Sequence, residues 1–141
     1  MVISKIIMEK VITLSKDIYQ KVIAEGENNL PYEACGLIAG YHHQVTSFWP
    51  LQNQLNSSTR FFVHKQKVIE TVKCIENRKE QVLAVFHTHP STKPVPSPYD
   101  LSHHPDDQVG MVIVSYKYSL PQIKWYQIKN KIYKECTIII N

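Results

Sequence analysis

The chain has 141 residues, a net charge of +4, 43% hydrophobic residues and 20% charged residues. This length predicts one domain, residues 1–141, with a hydrophobic core, and the composition excludes a disordered or low-complexity chain. Because the lysines are scattered rather than clustered, no nucleic-acid partner is expected.

The three cysteines, Cys35, Cys74 and Cys136, are an odd number at wide spacing and form no Cys-x-x-Cys pair. This pattern argues against a disulfide framework and against a cysteine-rich zinc module. Residues 1–10 are apolar but interrupted by charges, and no stretch is long enough to cross a bilayer. We therefore expect a cytoplasmic protein without a membrane partner.

The first half of the chain begins with a strand and a helix. Residues 11–14 are largely β-branched and predict the strand, after which Ser15 can cap a helix that runs to about Glu27. Two further strands are predicted at residues 37–39 and 45–51. The first part of the chain is therefore expected to contain three strands and one helix.

The remaining elements predict a mixed sheet. Residues 60–63 form a short strand candidate, and residues 65–77 carry apolar side chains at helical spacing. Four more strands are predicted, at residues 82–86, 109–115, 123–128 and 132–140. We therefore expect a single α/β or α+β domain in which two main helices flank a mixed β-sheet.

A short stretch in the second half contains side chains that can bind a metal. His87 and His89 are two positions apart, so on a strand they share one face while Thr88 points to the other. The loop at residues 90–98 contains four prolines, which make it stiff, and can bring Asp100 back towards the histidines. Two imidazoles and a carboxylate, with a fourth position for water, are the ligands of a catalytic zinc site.

Each half of this pattern also has a simpler interpretation. A histidine pair at the end of a strand is more often exposed or hydrogen-bonded than metal-bound. Ser97, Pro98 and Asp100 have the arrangement that starts a short helix, with a serine cap, a proline in the first turn and an acid at the third position. Neither half alone would predict a metal site.

The complete pattern resembles the signature of the JAMM metalloproteases, also called the MPN+ or Mov34/JAB family. The family's signature is His-Ser/Thr-His-x7-Ser-x2-Asp. This chain matches it with His-Thr-His at residues 87–89, Ser97 after seven further residues and Asp100 after two more. The family also has a glutamate before an upstream strand, and Glu33 occupies a similar segment, residues 32–40. The resemblance covers nearly the whole chain and implies the cytidine-deaminase-like JAB/MPN fold.

The resemblance also implies a role for each of these residues. His87, His89 and Asp100 would bind one Zn²⁺ per chain and lower the pKa of a bound water towards neutrality. Glu33 would be the general acid/base, and Ser97 would hydrogen-bond the oxyanion of the tetrahedral intermediate. The family therefore implies a zinc metallopeptidase.

Family members cleave the bond after the C-terminal Gly-Gly of ubiquitin-like proteins, and small prokaryotic members resemble enzymes that process sulfur carriers. We therefore expect a ubiquitin-like or sulfur-carrier substrate ending in Gly-Gly, cleaved at a peptide or an isopeptide bond. One alternative is a catalytically silent MPN-type interaction scaffold, disfavoured because all five motif positions are present. Another is an amidohydrolase or deaminase acting on a small molecule, for which the deaminase motifs His-x-Glu and Pro-Cys-x-x-Cys are missing.

A few other histidines and one cysteine could support the motif. His103 and His104 follow Asp100 by about one helical turn, where either could lie beside it. Cys35, close to Glu33 in the sequence, is predicted to be a small core residue. The remaining histidines, His42, His43 and His64, are predicted at the surface.

Overall fold

The computed structural model describes residues 10–141, so the N-terminal stretch discussed for membrane targeting lies almost entirely outside the described residues. No helix within this described part is long and apolar enough to span a membrane. The described elements are, in chain order, β1 (Val11–Leu14), α1 (Lys16–Asn29), β2 (Cys35–Tyr41), β3 (Gln44–Leu51), α2 (Lys65–Asn77), β4 (Gln81–His89), α3 (Pro98–His103), β5 (Gly110–Ser115), β6 (Gln122–Lys129) and β7 (Ile132–Ile140).

The seven described strands form one mixed sheet that closes on itself in the order β1-β3-β2-β4-β5-β6-β7. β4 is central, antiparallel to β2 and parallel to β5, and β6 and β7 form the predicted terminal hairpin. β1 closes the sheet, because it runs parallel to β7 and also meets β3 at Thr13 and Gln44. The predicted mixed sheet with two main helices is confirmed.

Helix α1 begins where the sequence predicts and packs against the sheet. The Ser15 hydroxyl accepts a hydrogen bond from the Ile18 backbone N–H at 3.1 Å, and Val22 is fully buried. The ring of Tyr116 lies so close to Gly26 that a Cβ there would meet the phenol oxygen at 2.1 Å. The glycine therefore allows the strand end and the helix to approach each other.

Helix α2 covers the other face of the sheet. Ile75 is fully buried, Val68 and Val72 are half-buried, and Cys74 is exposed, as expected for a residue off the apolar stripe. These side chains pack with buried residues of β2, including Leu37. The sheet is thus covered on both faces, and its central strands can carry buried polar groups.

The predicted strand at residues 60–63 is wrong, because the segment is irregular. The Asn53 side chain takes the place of a partner strand: its amide donates to the Arg60 carbonyl at 3.0 Å and its oxygen accepts from the Phe62 N–H at 3.1 Å. The backbone of Gln54 also donates to the Phe62 carbonyl. The polar backbone groups are therefore satisfied locally.

Strand β4 is longer than the sequence predicts. It continues past Phe86 through His89, since His87 pairs with Ile113 and His89 with Ser115 on the parallel neighbour β5. The two histidines therefore lie within the sheet instead of leaving its core. Both are buried, at 1% and 7% exposure.

Candidate metal centre

Strand β4 places two imidazole nitrogens next to each other. His87 and His89 point to the same side, and their Nε2 atoms are 3.3 Å apart. The ring of Phe61 stacks on His87 with centroids 5.2 Å apart, which fixes the plane of that imidazole. The pleat of the strand thus produces the convergence that the spacing predicts.

Helix α3 adds a carboxylate oxygen to this pair. Its first turn is a capping box, in which the Ser97 hydroxyl accepts from the Asp100 N–H and Asp100 Oδ2 accepts from the Ser97 N–H, both at 3.0 Å. The same Oδ2 lies 3.1 Å from His87 Nε2 and 3.0 Å from His89 Nε2. The helix-cap interpretation and the metal-ligand interpretation of this segment are therefore compatible.

The proline-rich loop before α3 is tied to the sheet through three successive carbonyl groups. The Thr92 carbonyl accepts from the Ser115 hydroxyl, the Lys93 carbonyl contacts His89 Nδ1, and the Pro94 carbonyl accepts from the Tyr126 hydroxyl. Pro94 itself is buried. These contacts support the prediction that a stiff loop holds the helix, and with it the carboxylate, beside the histidines.

The hydrogen bonds of His89 determine which of its nitrogens has a free lone pair. Its Nδ1 lies 2.7 Å from the Lys93 carbonyl, which can only accept, so the geometry assigns the proton to Nδ1. In a neutral imidazole Nε2 is then an acceptor, and it faces Asp100 Oδ2 at 3.0 Å. Two acceptors at this distance repel each other unless a proton or a cation lies between them.

The protonation states of His87 and Asp100 favour the binding of a cation. Burial lowers the pKa of His87, which keeps its imidazole neutral and a ligand lone pair available. Burial raises the pKa of the Asp100 carboxyl, but contacts with His87 and with the Ser97 N–H outweigh this and hold that pKa well below its usual range. Within residues 10–141 the ligand atoms of His87, His89 and Asp100 all lie within 4.8 Å of one another. Two neutral nitrogens with one carboxylate match the ligand preferences of Zn²⁺.

Glu33 is a buried acid close to this cluster but outside it. Its side chain is 2% exposed, and among the described residues its Oε1 atom has no hydrogen-bond partner. Burial, together with the nearby negative charge of Asp100, raises the pKa of Glu33 to about 9. A carboxyl group in this setting can hold a proton at neutral pH and release it when a positive charge approaches.

The segment that carries Glu33 is fixed by two side chains. The Ala34 N–H donates to the Thr88 hydroxyl at 2.8 Å, and the Thr88 N–H donates to the Ala34 carbonyl at 3.0 Å. The Asn53 amide donates to the Glu33 carbonyl at 2.9 Å. Thr88, which points away from the histidine pair as predicted, therefore connects the strand of the histidines to the acid.

Asn53 is a supporting residue that the sequence reasoning missed. It is 7% exposed and contacts both Glu33 and the irregular segment at residues 60–62. Its oxygen also accepts from the Leu55 N–H, which is the local turn that asparagine favours in polar loops. That turn signal was present in the sequence, but the long-range contact to Glu33 was not.

Within residues 10–141 no hydrogen bond joins His103, His104 or Cys35 to Asp100. His103 stacks on Tyr99 with ring centroids 3.9 Å apart, and His104 Nε2 contacts the Val109 carbonyl at 2.9 Å. Cys35 is buried, its thiol contacts the Leu51 carbonyl, and burial raises its pKa to about 12. The predicted core role of Cys35 is confirmed.

Two cavities open beside the cluster. One, of about 340 Å³, contacts His87 and Asp100 and is otherwise largely apolar, with walls that include Phe61, Phe62 and Met111. The other is an open cleft of about 380 Å³ lined by His89, Thr92, Lys93, Val95, Ser97 and Lys117. The two cavities thus reach the cluster at different places, one beside His87 and Asp100 and the other beside His89 and Ser97.

Comparison with known proteins shows which proteins this chain resembles. Residues 15–127 match a family described as "Prokaryotic homologs of the JAB domain". The desampylase of Pyrococcus furiosus is 26% identical over 83 residues, and this match spans 59% of each chain, less than two thirds of that protein's length. The CysO-cysteine peptidase of Mycobacterium tuberculosis is 23% identical over 107 residues, 74% of this chain and 73% of that one.

Solved structures show the same fold. A protein from Desulfitobacterium hafniense has a TM-score of 0.84 and 30% sequence identity over 92% of each chain. A JAB1/MPN domain protein from Archaeoglobus fulgidus has a TM-score of 0.58 and 19% identity, over 92% of this chain and 98% of its own. These matches confirm the predicted α+β fold with a mixed sheet flanked by helices.

Proposed function

Because the chain belongs to the family of prokaryotic homologs of the JAB domain, we propose that it is a zinc-dependent metallopeptidase. The observation that carries the proposal is the convergence of His87 Nε2, His89 Nε2 and Asp100 Oδ2 within 3.3 Å of one another. The tautomer assigned to His89 directs a lone pair into this cluster, as a metal ligand requires.

In this proposal His87, His89 and Asp100 hold one Zn²⁺. When bound, the metal supplies Lewis acidity and lowers the pKa of a coordinated water. The Lys93 carbonyl keeps His89 in the tautomer that binds metal through Nε2, and the Ser97 N–H orients the Asp100 carboxylate. These contacts make the ligand set rigid before any substrate binds.

In the proposed reaction Glu33 transfers protons, and Ser97 stabilises the negative charge that develops on the carbonyl oxygen of the substrate. Without a metal, the pKa of Glu33 near 9 keeps its carboxyl protonated at neutral pH; a bound cation would lower that pKa, so that the carboxylate could take the proton from the attacking water and deliver it to the leaving amine. The Ser97 hydroxyl already accepts from the Asp100 N–H, so its own hydrogen is available to donate to the carbonyl oxygen of the substrate. Both groups are held by the backbone contacts described above.

The proposed substrate is a ubiquitin-like or sulfur-carrier protein that ends in Gly-Gly, cleaved after the glycines. The names of two relatives, desampylase and CysO-cysteine peptidase, support a substrate of this general kind. An extended glycine tail also suits the approach to a buried cluster, because it has no side chains to clash. We further propose that residues 1–141 form one such domain, and that it acts in the cytoplasm.

Metal content and turnover, measured on the same protein samples, test the proposal. Wild-type protein should contain about one zinc per chain by elemental analysis and should trim a carrier extended beyond Gly-Gly, as followed by mass spectrometry. Glu33→Gln should keep the zinc and lose about 100-fold or more in turnover, in the range found for general acid–base groups. Asp100→Asn should lose both, because the neutral amide is a poor zinc ligand.

The same substitution at exposed Glu76, Glu76→Gln, is the matched control and should retain zinc and turnover. Full turnover by Glu33→Gln would show that Glu33 is not the acid/base. Zinc binding by the wild type without trimming of any extended carrier would favour the interaction scaffold over the peptidase.

A further inference from the structure

The two histidines of the cluster are held in different ways. His89 Nδ1 lies 2.7 Å from the Lys93 carbonyl, whereas His87 Nδ1 is buried and has no hydrogen-bond partner among the described residues. A histidine that binds a metal usually donates its second ring N–H to an acceptor, and that bond fixes the orientation of the ring. His87 therefore needs a contact of another kind to hold its imidazole plane.

The ring of Phe61 supplies such a contact. It lies over the His87 imidazole with centroids 5.2 Å apart and an angle of 25° between the two planes. Because His87 is 1% exposed, an aromatic ring packed on one face leaves the imidazole little space in which to rotate. The stacked ring also leaves Nε2 of His87 free to face His89 and Asp100.

The stacked ring belongs to an irregular segment, residues 53–63. Within this segment the Ser57 carbonyl accepts from the Glu33 N–H at 2.7 Å, and the Asn53 amide donates to the Glu33 carbonyl at 2.9 Å. The segment therefore contacts a candidate metal ligand at one point and the backbone of the candidate acid at two others. A displacement of the segment would disturb both.

Arg60 joins this segment to α3. Its guanidinium carbon lies 4.6 Å from the centroid of the Tyr99 ring, which is also stacked on His103. Within the described part of the chain no hydrogen bond or ion pair joins residues 53–63 to α3. The apolar cavity lies between the two, so this cation–π contact links the segment to the helix of the carboxylate ligand.

We propose that Phe61 is a positioning residue for His87, and that Arg60, through Tyr99, holds the segment of Phe61 in place. The inference rests on the proposed function, because it takes His87 as a zinc ligand. In this arrangement the Lys93 carbonyl orients one imidazole by a hydrogen bond, and the ring of Phe61 orients the other by stacking. Phe61 and Arg60 act through other side chains and not on the reacting atoms.

Phe61→Leu tests the stacking contact, since leucine keeps an apolar side chain but has no ring. Zinc affinity is measured by competition with a chelator, and the visible spectrum of the cobalt-substituted protein reports the geometry of the ligands. We expect about tenfold weaker zinc binding and a changed cobalt spectrum, as for the loss of other contacts that orient metal ligands. Phe48→Leu is the matched control, because Phe48 packs edge-on against Phe86 in the core. It should destabilise the fold but keep the zinc affinity and the spectrum.

Arg60→Gln and Tyr99→Leu each remove one partner of the cation–π contact, and amide hydrogen exchange in the metal-free protein measures the effect. Each should speed the exchange of the Glu33 N–H, which donates to Ser57, by about three- to tenfold, the range that such a contact supplies. The double variant should exchange no faster than Tyr99→Leu alone, because both changes remove the same contact. Tyr99→Phe keeps the ring and should restore slow exchange.

Wild-type zinc affinity with an unchanged cobalt spectrum in F61L would overturn the role of Phe61, and so would equal changes in F48L. Unchanged exchange of the Glu33 N–H in R60Q would overturn the role of Arg60. So would an equal acceleration in R78Q, since the guanidinium of Arg78 lies over Trp49 instead. Failure of the proposed function looks different: zinc binds and no extended carrier is trimmed, while affinity, spectrum and exchange still decide the positioning roles.

Discussion

The Oδ2 atom of Asp100 accepts a hydrogen bond from the Ser97 N–H at the helix cap. The same atom lies beside the Nε2 atoms of His87 and His89. The cap orients the carboxylate, so the side chain does not have to lose rotamer freedom when a cation binds. The Asp100 carboxylate is therefore already ordered when the chain has folded. This is the general advantage of a metal ligand that is also a structural residue. His89 is prepared in the same way by the Lys93 carbonyl.

Glu33 illustrates the opposite case, a side chain that costs stability. Its pKa is raised to about 9 by burial and by the charge of Asp100, whereas in the unfolded chain it titrates near its ordinary value. From about pH 4.5 upwards the unfolded chain loses this proton and the folded chain keeps it. The contribution of Glu33 to stability therefore falls as the pH rises, until the pH passes the folded pKa near 9.

Glu33→Gln should consequently stabilise the metal-free protein, and more at pH 8 than at pH 5. The glutamine is uncharged in both states, so the pH-dependent penalty disappears. Thermal unfolding in the presence of a chelator, recorded for wild type and variant at both pH values, measures the effect. A difference in melting temperature that is equal at the two pH values, or larger at pH 5, would contradict the raised pKa. Glu76→Gln again controls for the substitution itself.

At the scale of elements, the candidate metal centre depends on contacts between segments that are distant in sequence. The Thr88 hydroxyl on β4 accepts from the Ala34 N–H at the entrance to β2, next to Glu33. The proline-rich loop is held by carbonyl contacts to β4, β5 and β6. Three strands therefore determine where the loop, α3 and the acid stand relative to one another.

Thr88→Val tests this connection, because valine has the same shape as threonine but no hydroxyl. The buried Ala34 N–H would lose its acceptor, and we expect a loss of about 1–3 kcal/mol in the free energy of unfolding. Turnover should fall while zinc content stays near one per chain, since the metal ligands are untouched and Glu33 is displaced. Denaturant unfolding, elemental analysis and the trimming assay give the three readouts.

Thr71→Val is the matched control, since Thr71 is also buried and its hydroxyl donates to the Lys67 carbonyl within α2. It should change stability less and leave turnover intact. If Thr88→Val lowers turnover only in proportion to lost zinc, Thr88 supports the ligands and has no separate effect on Glu33.

At the scale of the whole molecule, metal binding should be linked to folding. The cluster joins β4 to α3, so a bound cation stabilises the folded state and has no equivalent site in the unfolded chain. Zinc at about 1,000 times its dissociation constant should raise the melting temperature on the order of 10 °C for a domain of this size. Differential scanning fluorimetry with zinc and with chelator measures the shift.

Asp100→Asn can still accept from the Ser97 N–H and thus preserves the cap, but it lacks the charge that favours zinc. Its melting temperature should respond little to the metal. An equal zinc response in this variant and in wild type would place the metal elsewhere on the chain.

The sequence by itself determined most of the elements and the identity of the polar cluster. Periodicity predicted α2 at its observed bounds, the serine cap of α1 and the terminal hairpin, because these depend on neighbouring residues. The spacing of His87, His89 and Asp100 predicted that they converge, since the pleat of a strand and the start of a helix direct side chains locally. These features depend on residues that are close in sequence, so the sequence was sufficient to predict them.

Only the tertiary structure decided which backbone groups satisfy one another over long distances. Residues 60–63 looked like a strand, yet Asn53 binds that segment and leaves it irregular. β1 closes the sheet through β7, at the far end of the chain, and Thr88 fixes the segment of Glu33. Hydrogen-bond partners and burial across such separations depend on the packed fold, and so does the raised pKa of Glu33.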